Sequence, residues 1–526
     1  MRRFATLLDR LVFSPGRNAK LRLIQDYFAS SPDPDRGWAL AALTGGLAFR
    51  HAKPALVRGL IEERADPVLF ALSYDFVGDL AETVSLLWPG DETAPVDPAL
   101  GEIVERLTRA GRTEVPGLLA GWLDGLDPTG RWGLLKLITG ALRVGVSARL
   151  ARTALAGLSE RVAVDDIEEV WHGLEPPYLP LFAWLDGRGE RPAPEATGFR
   201  PFMLAHPLEE AALEALDPAD FLAEWKWDGI RVQIAAGGGR DGGAARLYSR
   251  SGDEITAAFP DLAQTLAFEA VLDGELLVIR DGAVAPFNDL QQRLNRKTVS
   301  ARAMAANPAH VRVYDLLFEG GDDLRPRPLA ERRARLEDWF ARAAPDRLDL
   351  SPLVPFADWT ALRELRAGAR EAGVEGLMIK RKDSAYLAGR PTGPWFKLKR
   401  DPLTADCVLM YAQRGHGKRS SFYSDYTFGV WREAALVPVG KAYFGFTDEE
   451  LALLDKWVRD NTTERFGPVR AVRPGLVVEV AFDSLHPSKR HKSGLAMRFP
   501  RIHRIRWDKP PAEADRLETL AALAEG

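Results

Sequence analysis

Apolar residues in the first 190 positions recur at spacings of three and four, which is the period of an amphipathic α-helix. The stretches from Ala19 to Phe28 and from Pro54 to Glu63 show this spacing, and no comparable runs of β-branched residues interrupt the region. The segment from Gly130 to Ser147 predicts another helix that ends near Gly145. We therefore predict an all-α domain over residues 1–190, whose first helix lies at the start of the chain.

Between Asp186 and Pro207 the composition shifts to Gly, Pro, Glu and Arg, which predicts a linker over residues 191–206. Segments with strand-like alternation and segments with helical periodicity then follow one another along the chain. The predicted strands are Arg246 to Arg250, Ala270 to Ile279 and Val311 to Phe318, and the predicted helices are Leu329 to Ala343 and Trp359 to Ala372. This mixture predicts an α+β domain over residues 207–401.

After Asp401-Pro402 the chain changes to short alternating runs that are typical of small barrels. The predicted strands are Ala405 to Ala412, Tyr426 to Trp431, Leu436 to Gly440 and Leu476 to Phe482, with a helix from Asp448 to Asn461 between them. This pattern predicts a Greek-key β-barrel of the OB type over residues 402–510. Residues 511–526 form a tail, in which Leu517, Leu520 and Leu523 predict a short helix.

The composition is that of a soluble protein with about three domains, since 526 residues exceed the size of a single core and 46% of them are hydrophobic. The single cysteine, Cys407, excludes an internal disulfide and a cysteine-rich zinc site. We find no apolar run of about 18 residues and no secretory signal pattern. We therefore expect a cytoplasmic protein without a membrane span. We also expect it to be a monomer.

Charge is distributed unevenly around a net value of -4. Residues 380–419 carry ten Lys/Arg against three Asp/Glu, and residues 486–509 carry eight against one. Such segregation is typical of a surface that binds an anionic ligand, although two solvated basic faces would give the same count.

A candidate nucleophile lies in the tetrapeptide Lys226-Trp-Asp-Gly229, which places a lysine beside a carboxylate and a turn glycine. Taken alone, Asp228-Gly229 predicts a β-hairpin turn between two alternating runs. Further short motifs follow in a fixed order. They are Tyr248-Ser-Arg250, Leu272-Asp-Gly-Glu275, Val313-Tyr314-Asp315, Val374-Glu375-Gly-Leu-Met378-Ile-Lys380, Trp395-Phe-Lys397-Leu-Lys399-Arg and Arg498-Phe-Pro-Arg501 through Asp508-Lys509.

This series resembles the ordered motifs of covalent nucleotidyltransferases, and specifically of ATP-dependent DNA ligases. Each motif is weak by itself, but the joint match from Lys226 to Lys509 is specific. The resemblance extends more loosely to the segment from Lys136 to Ser147, which is similar to part of the helical DNA-binding domain of larger ligases. It implies the bacterial multidomain type of the family.

A lysine must lose its proton before it can attack phosphorus, and an ordinary lysine is almost entirely protonated at pH 7. Burial, a divalent metal and the cations of Lys397 and Lys399 would all favour the neutral amine of Lys226. The alternation of Phe396-Lys-Leu-Lys399 places both lysines on one face of a strand, as an exposed edge strand also would. Asp228 could orient the nucleophile or act only as a turn former.

Glu275 and Glu375 are the predicted ligands of Mg²⁺, with Mn²⁺ as an alternative, because Mg²⁺ at phosphates uses one or two carboxylates with water. Ordinary salt bridges are the competing interpretation. The resemblance implies that Tyr314 and Met378 pack on the two faces of adenine, where a simple core role is the alternative. It also implies that Glu224 accepts a hydrogen bond from the adenine amino group, which would favour ATP over GTP.

By resemblance, Arg231 and Arg250 hold ribose and the nick phosphate, for which planar guanidinium groups are suited. Surface ion pairs would explain them equally. The resemblance assigns Arg498, Arg501, Asp508 and Lys509 to the barrel motif that closes over ATP. The predicted contacts with the DNA backbone are Lys136, Arg143, Arg250 and the loop residues Arg414, Lys418 and Arg419.

The sequence therefore predicts an ATP-dependent ligase that acts on nicked duplex DNA through a lysyl-AMP intermediate. An RNA ligase or a capping guanylyltransferase shares the lysine motif and is the first alternative. An NAD-dependent ligase is disfavoured because its zinc module needs more cysteines. A nick-binding scaffold without catalysis is a further alternative, although every expected catalytic position is filled.

Overall fold

The computed structural model describes residues 1–525 apart from 91–94, 141, 209, 238–244, 295, 297, 415–421 and 490. Its contacts divide the chain into two compact units. The first unit contains residues 1–201 together with 235–237 and 248–254, and the second contains the remainder.

The first unit is helical, as the sequence pattern predicts. Phe4, Leu8 and Leu11 occupy one face of the first helix and are buried in the core of this unit. The described helices are α1 (Arg2–Val12), α2 (Arg17–Ser30), α3 (Asp35–Thr44), α4 (Pro54–Glu62), α5 (Pro67–Val77), α6 (Leu80–Leu87), α7 (Leu100–Arg109), α8 (Val115–Gly125), α9 (Pro128–Thr139), α10 (Ala148–Ala156), α11 (Val164–Val170) and α12 (Leu179–Leu185).

Helix α9 ends earlier than the periodicity indicates. Gly140 follows it with a φ of 81°, in the left-handed conformation that terminates helices. The prediction of a helix end near Gly145 was therefore wrong, and Arg143 lies in the loop that follows.

An α+β region follows residue 201 and belongs to the second unit, apart from the ends of its third and fourth strands. Its strands are β1 (His206–Pro207), β2 (Phe221–Lys226), β3 (Ile230–Gly237), β4 (Arg246–Ser249), β5 (Glu269–Arg280), β6 (Ala283–Val284), β7 (Ala309–Glu319), β8 (Asp322–Asp323), β9 (Leu348–Leu350), β10 (Gly376–Arg381) and β11 (Trp395–Lys399). Its helices are α13 (Glu210–Leu213), α14 (Pro260–Ala263), α15 (Phe287–Gln291), α16 (Ala301–Ala306), α17 (Leu329–Ala343) and α18 (Trp359–Ala367).

These strands form two sheets. One sheet has the order β1-β11-β10-β2, and the other has the order β4-β3-β5-β7-β8, with β6 paired to β5 and β9 to β7. Strands β2 and β3 therefore lie in different sheets, and the hairpin predicted at Asp228-Gly229 is wrong. Alternation within each run shows that it is a strand but does not identify its partner. The Trp227–Gly229 turn instead carries the chain from one sheet to the other.

The C-terminal region is rich in strands and contains a curled sheet. Strand β12 pairs with β13 on one side, and on the other side with β17 and then β16. The elements are β12 (Leu403–Arg414), β13 (Tyr423–Arg432), β14 (Ala435–Ala442), α19 (Asp448–Asn461), β15 (Thr462–Phe466), β16 (Val469–Val472), β17 (Val477–Phe482), β18 (Ser484–Pro487), β19 (Leu495–Arg498), β20 (Arg501–Arg506) and α20 (Leu517–Glu525).

The final residues pack against this curled sheet. The Trp431 indole donates to the carbonyl of Pro511 at 2.7 Å, and Leu520 is fully buried in the C-terminal core. The helix predicted for the tail is therefore present and contributes to the core. Among the described residues, no helix is long and apolar enough to cross a membrane.

Candidate active site

The nucleophile candidate lies on one face of the four-stranded sheet. Directly opposed residues of antiparallel strands share a face, so the strand registers of β2, β10 and β11 place three rows of side chains together. These rows are Lys226–Gly376–Lys399, Glu224–Met378–Lys397 and Leu222–Lys380–Trp395. The opposite face carries Ala223, Leu377 and Leu398, which are buried in an apolar core. The sheet thus separates a core face from a polar face.

Gly376 keeps the centre of the first row open. Its φ of 139° and the position of its backbone exclude a side chain, because an added Cβ would lie 2.2 Å from the carbonyl oxygen of Leu398. Lys226 and Lys399 therefore lie on either side of bare backbone.

Glu375 joins the two lysines of this row. Its backbone N–H donates to the carbonyl of Lys226 at 2.8 Å, and its Oε2 accepts a hydrogen bond from Lys226 Nζ. Lys399 Nζ lies 3.7 Å from the same oxygen. Burial opposes ionisation of Glu375, but Lys226 and Lys399 hold its pKa below the ordinary value. The Glu375 carboxylate is therefore ionised and shared between two cations.

Asp228 is held by an arginine from the C-terminal region. Arg498 Nη1, at the end of β19, lies 2.5 Å from Asp228 Oδ2, and its guanidinium stacks 4.2 Å from the centre of the Phe287 ring. Asp228 Oδ1 is buried and accepts no hydrogen bond within the described part of the chain. Burial raises the pKa of Asp228 against the effect of Arg498. One oxygen of this carboxyl thus remains available to a cation or a hydroxyl.

Glu275 is a third carboxyl beside Lys226. It lies on β5, and burial raises its pKa to about 8. Within the described ranges, no group of three or more His, Cys, Asp or Glu side chains is arranged to hold a metal. Glu275 and Glu375 are two carboxyls beside Lys226, and Mg²⁺ at phosphates commonly uses only one or two carboxylates together with waters.

The residues predicted to contact adenine lie on both sheets. Tyr314 is the extra residue of a β-bulge, because Val313 pairs with Gly274 and Asp315 with Asp273. A bulge redirects a side chain out of the regular alternation. Met378 is half-buried in the second row, next to Glu224.

Arg231 is held by a buried carboxylate and a backbone carbonyl. Its guanidinium binds the buried Asp273 carboxylate at 3.1 and 2.7 Å and donates to the carbonyl of Met203 at 2.7 Å. These bonds tie β3 to β5, and the Arg231 guanidinium also lies 5.9 Å from the centre of the Tyr314 ring. Its predicted role at the ribose stays a prediction. Asp273 lies two residues before Glu275 in the same motif, but the sequence pattern alone does not identify it as a functional residue.

The predicted barrel motif divides into two pairs of residues. Arg498 binds Asp228, and Arg501 lies 3.6 Å from Asp483, which is also 3.6 Å from Lys399. Both arginines therefore lie close to the row of Lys226 and Lys399. Asp508 binds Arg506 at 2.9 Å, and Lys509 binds Asp406 at 2.6 Å. The structure thus uses Asp508 and Lys509 for contacts within the C-terminal region.

A cleft of about 1070 Å³ opens beside Lys397 and Lys399. Its other charged lining residues are Arg366, Arg400, Asp401, Asp483 and Arg501, and the exposed ring of Phe499 lies at its rim. Cations outnumber carboxylates there, which suits a polyphosphate.

Lys136 is not available to DNA in this structure. It is buried, and its Nζ lies 2.5 Å from Asp79, because the end of α9 packs against α6. Arg143 and Arg250 are exposed, and Arg414 lies at the end of β12. Lys418 and Arg419 lie outside the described residues.

Comparison with known proteins identifies the family. The model of the ATP dependent DNA ligase domain matches residues 202–399, and that of the ATP dependent DNA ligase C terminal region matches residues 419–509. A probable DNA ligase of Koribacter versatilis is 38% identical over 73% of this chain and 70% of its own length. DNA ligase 1 of Korarchaeum cryptofilum is 30% identical over 100% of this chain and 98% of its own length.

A solved structure shows the same fold over most of the chain. The chain designated Pmar-Lig_PreS3 superposes with a TM-score of 0.58 at 15% identity, covering 96% of this chain and 99% of its own. The lysine row, the carboxyls around it and the sequence relatives lead to one conclusion: the chain belongs to the family of ATP-dependent DNA ligases.

Proposed function

We propose that this chain seals nicks in duplex DNA, with Lys226 as the nucleophile. Lys226 attacks the α-phosphorus of ATP and releases pyrophosphate, which leaves a lysyl-AMP phosphoramidate. AMP then passes to the 5′-phosphate at a nick. The adjacent 3′-hydroxyl attacks that activated phosphate, expels AMP and closes the strand. The observation that supports this sequence of steps most directly is the row of Lys226 and Lys399 on either side of Gly376, with Glu375 between them.

The cations around the lysine suit phosphoryl transfer. Charge on the phosphate oxygens must be neutralised while the attacking and leaving atoms stay in line. Lys397 and Lys399 face the cleft from β11, and Arg501 approaches it from β20. We propose that these three side chains bind the phosphates of ATP.

Glu275 and Glu375 would hold Mg²⁺, or Mn²⁺ in its place. The ion would supply positive charge at the phosphate oxygens when bound. Glu375 already accepts the Lys226 ammonium and would have to release it before the amine could act as a nucleophile. Asp228 would then orient either Lys226 or the attacking hydroxyl through the oxygen that Arg498 does not bind.

The arrangement of Arg498 suits the first chemical step but not the later ones. Arg498 and Arg501 hold the C-terminal region against the polar face through Asp228 and through Asp483 with Lys399. A duplex must reach the same face to receive AMP. We propose that these ion pairs break after adenylylation, so that the C-terminal region turns away and presents another surface to DNA.

We propose the following domain roles. Residues 1–190 bind duplex DNA, residues 191–206 link them to an adenylation domain over 207–401, and residues 402–510 form an OB-type barrel with 511–526 as its tail. Arg143, Arg250, Arg414, Lys418 and Arg419 are proposed DNA contacts. Lys136 is left out of this set because it is buried. A monomer in the cytoplasm remains a prediction.

Incubation with α-labelled ATP and Mg²⁺ tests the mechanism. We expect one label per chain, its loss in Lys226→Ala, and its transfer to a nicked duplex followed by sealing. Lys441→Ala is a matched control, because Lys441 is paired with Asp425 in the C-terminal sheet and should leave labelling unchanged. Label that persists in Lys226→Ala would contradict the assignment. A preference for GTP would indicate a capping enzyme, and sealing confined to RNA would indicate an RNA ligase.

A further inference from the structure

Lys380 is a buried lysine on the polar face of the sheet that the proposed chemistry does not use. It lies on β10 in the row with Leu222 and Trp395, away from the carboxyls around Lys226, and only 2% of it is exposed. An ammonium group inside a protein is costly unless its charge is compensated. The side chains that compensate the charge of Lys380 therefore indicate its role.

Three side chains surround this ammonium. Lys380 Nζ lies 2.9 Å from Glu224 Oε2, 4.3 Å from the centre of the Tyr314 ring and 4.6 Å from the centre of the Trp395 ring. A carboxylate with two aromatic faces is a complete environment for a desolvated cation. Lys380 thus contacts both Glu224 and Tyr314, the two side chains expected to meet the base at its edge and at its face.

Glu224 is fixed at both oxygens. Lys380 binds Oε2, while Arg333 Nη1 lies 3.5 Å from Oε1 and is itself held by the carbonyl of Ser351 at 2.9 Å. Glu224 is only 4% exposed, and burial raises its pKa while Lys380 opposes that effect. Without Lys380, this carboxyl would take up a proton more readily.

The ionisation of Glu224 decides which base it can bind. A carboxylate accepts hydrogen bonds only, so it suits the 6-amino group of adenine and repels the 6-oxo group of hypoxanthine or guanine. A protonated carboxyl can both donate and accept, and would distinguish the two poorly.

We propose that Lys380 is a positioning residue that holds Glu224 as an ionised acceptor, and thereby selects 6-aminopurine over 6-oxopurine nucleoside triphosphates. The proposal rests on the proposed function of the same site. Lys380 lies in a different row from Lys226 and is not among the residues that line the cleft beside Lys397 and Lys399. Its effect should therefore depend on the base and not on the chemical step.

The test compares Lys380→Met with wild type in the full-length chain. The rate of lysyl-nucleotide formation is measured with ATP, with inosine triphosphate, and with purine riboside triphosphate, which lacks a 6-substituent. We expect Lys380→Met to lower the ATP to inosine triphosphate ratio of kcat/KM by about tenfold or more, because a charged hydrogen bond to the base is lost. The change should come mostly from ATP, and Lys380→Arg should restore much of the selectivity.

Lys136→Met is the matched control, since it also removes a buried lysine that is paired with a carboxylate, in this case Asp79. It should leave the nucleotide ratio unchanged. Equal loss with all three nucleotides in Lys380→Met would overturn the proposal and indicate a structural role. Absence of any lysyl-nucleotide in wild type would instead contradict the proposed function.

A second variant keeps the test decisive if Lys380→Met does not fold. The double variant Glu224→Gln with Lys380→Met replaces the buried ion pair with a neutral pair of similar size. An amide donates as well as accepts, so both this variant and Glu224→Gln alone should lose the selectivity against inosine triphosphate. If either variant keeps the wild-type ratio, then Glu224 does not read the base and the proposal fails.

Discussion

Gly229→Ala should disable adenylylation while leaving most of the fold intact. Gly229 ends the Trp227–Gly229 turn, which follows Lys226 and crosses from one sheet to the other. An added Cβ would lie 2.4 Å from the carbonyl oxygen of Leu276 and 2.8 Å from Cγ of Glu275. Leu276 is fixed by its pairing with Val311 on β7, so the turn must yield rather than β5.

The size of the effect follows from these distances. Ordinary contacts of a Cβ begin at 3.4 Å, so the turn must move away from β5 by about 1 Å. A displacement of about 1 Å at a reacting group can cost roughly 100-fold in rate, because in-line attack tolerates little misplacement. Overpacking of this kind costs about 1–3 kcal/mol of stability. We therefore expect adenylylation to slow by about 100-fold and the melting temperature to fall by a few degrees.

Single-turnover labelling with α-labelled ATP at saturating nucleotide gives the rate, and thermal denaturation gives the stability. Gly321→Ala is the control, since a Cβ there meets no atom within 4 Å and the residue is not in the left-handed region. A wild-type labelling rate in Gly229→Ala would refute the argument that this close approach positions Lys226. Equal damage in Gly321→Ala would show that the loss is not specific to the turn.

Three further predictions concern other contacts. Arg498→Ala should slow lysyl-AMP formation by about 100-fold, since it removes a fixed cation from Asp228. Arg504 is exposed, and Arg504→Ala should leave the rate unchanged. Equal single-turnover rates in the two variants would contradict this prediction. Burial raises the pKa of Glu275 to about 8 in the folded state, from its ordinary value of 4.5. Between these two pH values the folded state keeps a proton that the unfolded state has lost, so the free energy of unfolding should fall as pH rises from 4.5 to about 8. Glu275→Gln should reduce the difference in melting temperature between about pH 5.5 and about pH 8.5, and an unchanged difference would assign the pH dependence to other groups. Leu520→Ala should destabilise the C-terminal region by about 2–5 kcal/mol, because Leu520 is fully buried. Leu453 is 55% exposed and should tolerate alanine. Equal melting curves for the two variants would show that the tail is not part of the core.

Local periodicity was sufficient for most individual elements. The helix from Leu329 to Ala343 and the helix from Asp448 to Asn461 have the predicted bounds, because the residues that each helix buries recur at three- and four-residue spacing. Alternation also placed Lys397 and Lys399 on one face of their strand. The same rule applied to Met378-Ile-Lys380 would have identified Lys380 as a neighbour of Met378.

Local periodicity could not predict contacts between segments that are far apart in the chain. The hairpin at Asp228-Gly229 was predicted because both flanking runs alternate, yet each run found its hydrogen-bond partners elsewhere. Arg231 and Lys136 are paired with Asp273 and Asp79, and no sequence spacing identifies a carboxylate that only folding brings within reach.

The sequence by itself determined the family, the lysine nucleophile candidate and the alternation that gathers cations on one strand face, since these depend on residue type and on spacing of a few positions. The tertiary structure alone decided which charges meet. It joined Lys226 to Glu375, Asp228 to Arg498 and Glu224 to Lys380. Whether a lysine can donate to a ligand or is neutralised by a carboxylate depends on distances of a few ångströms between segments far apart in the chain, and packing of the sheets fixes those distances.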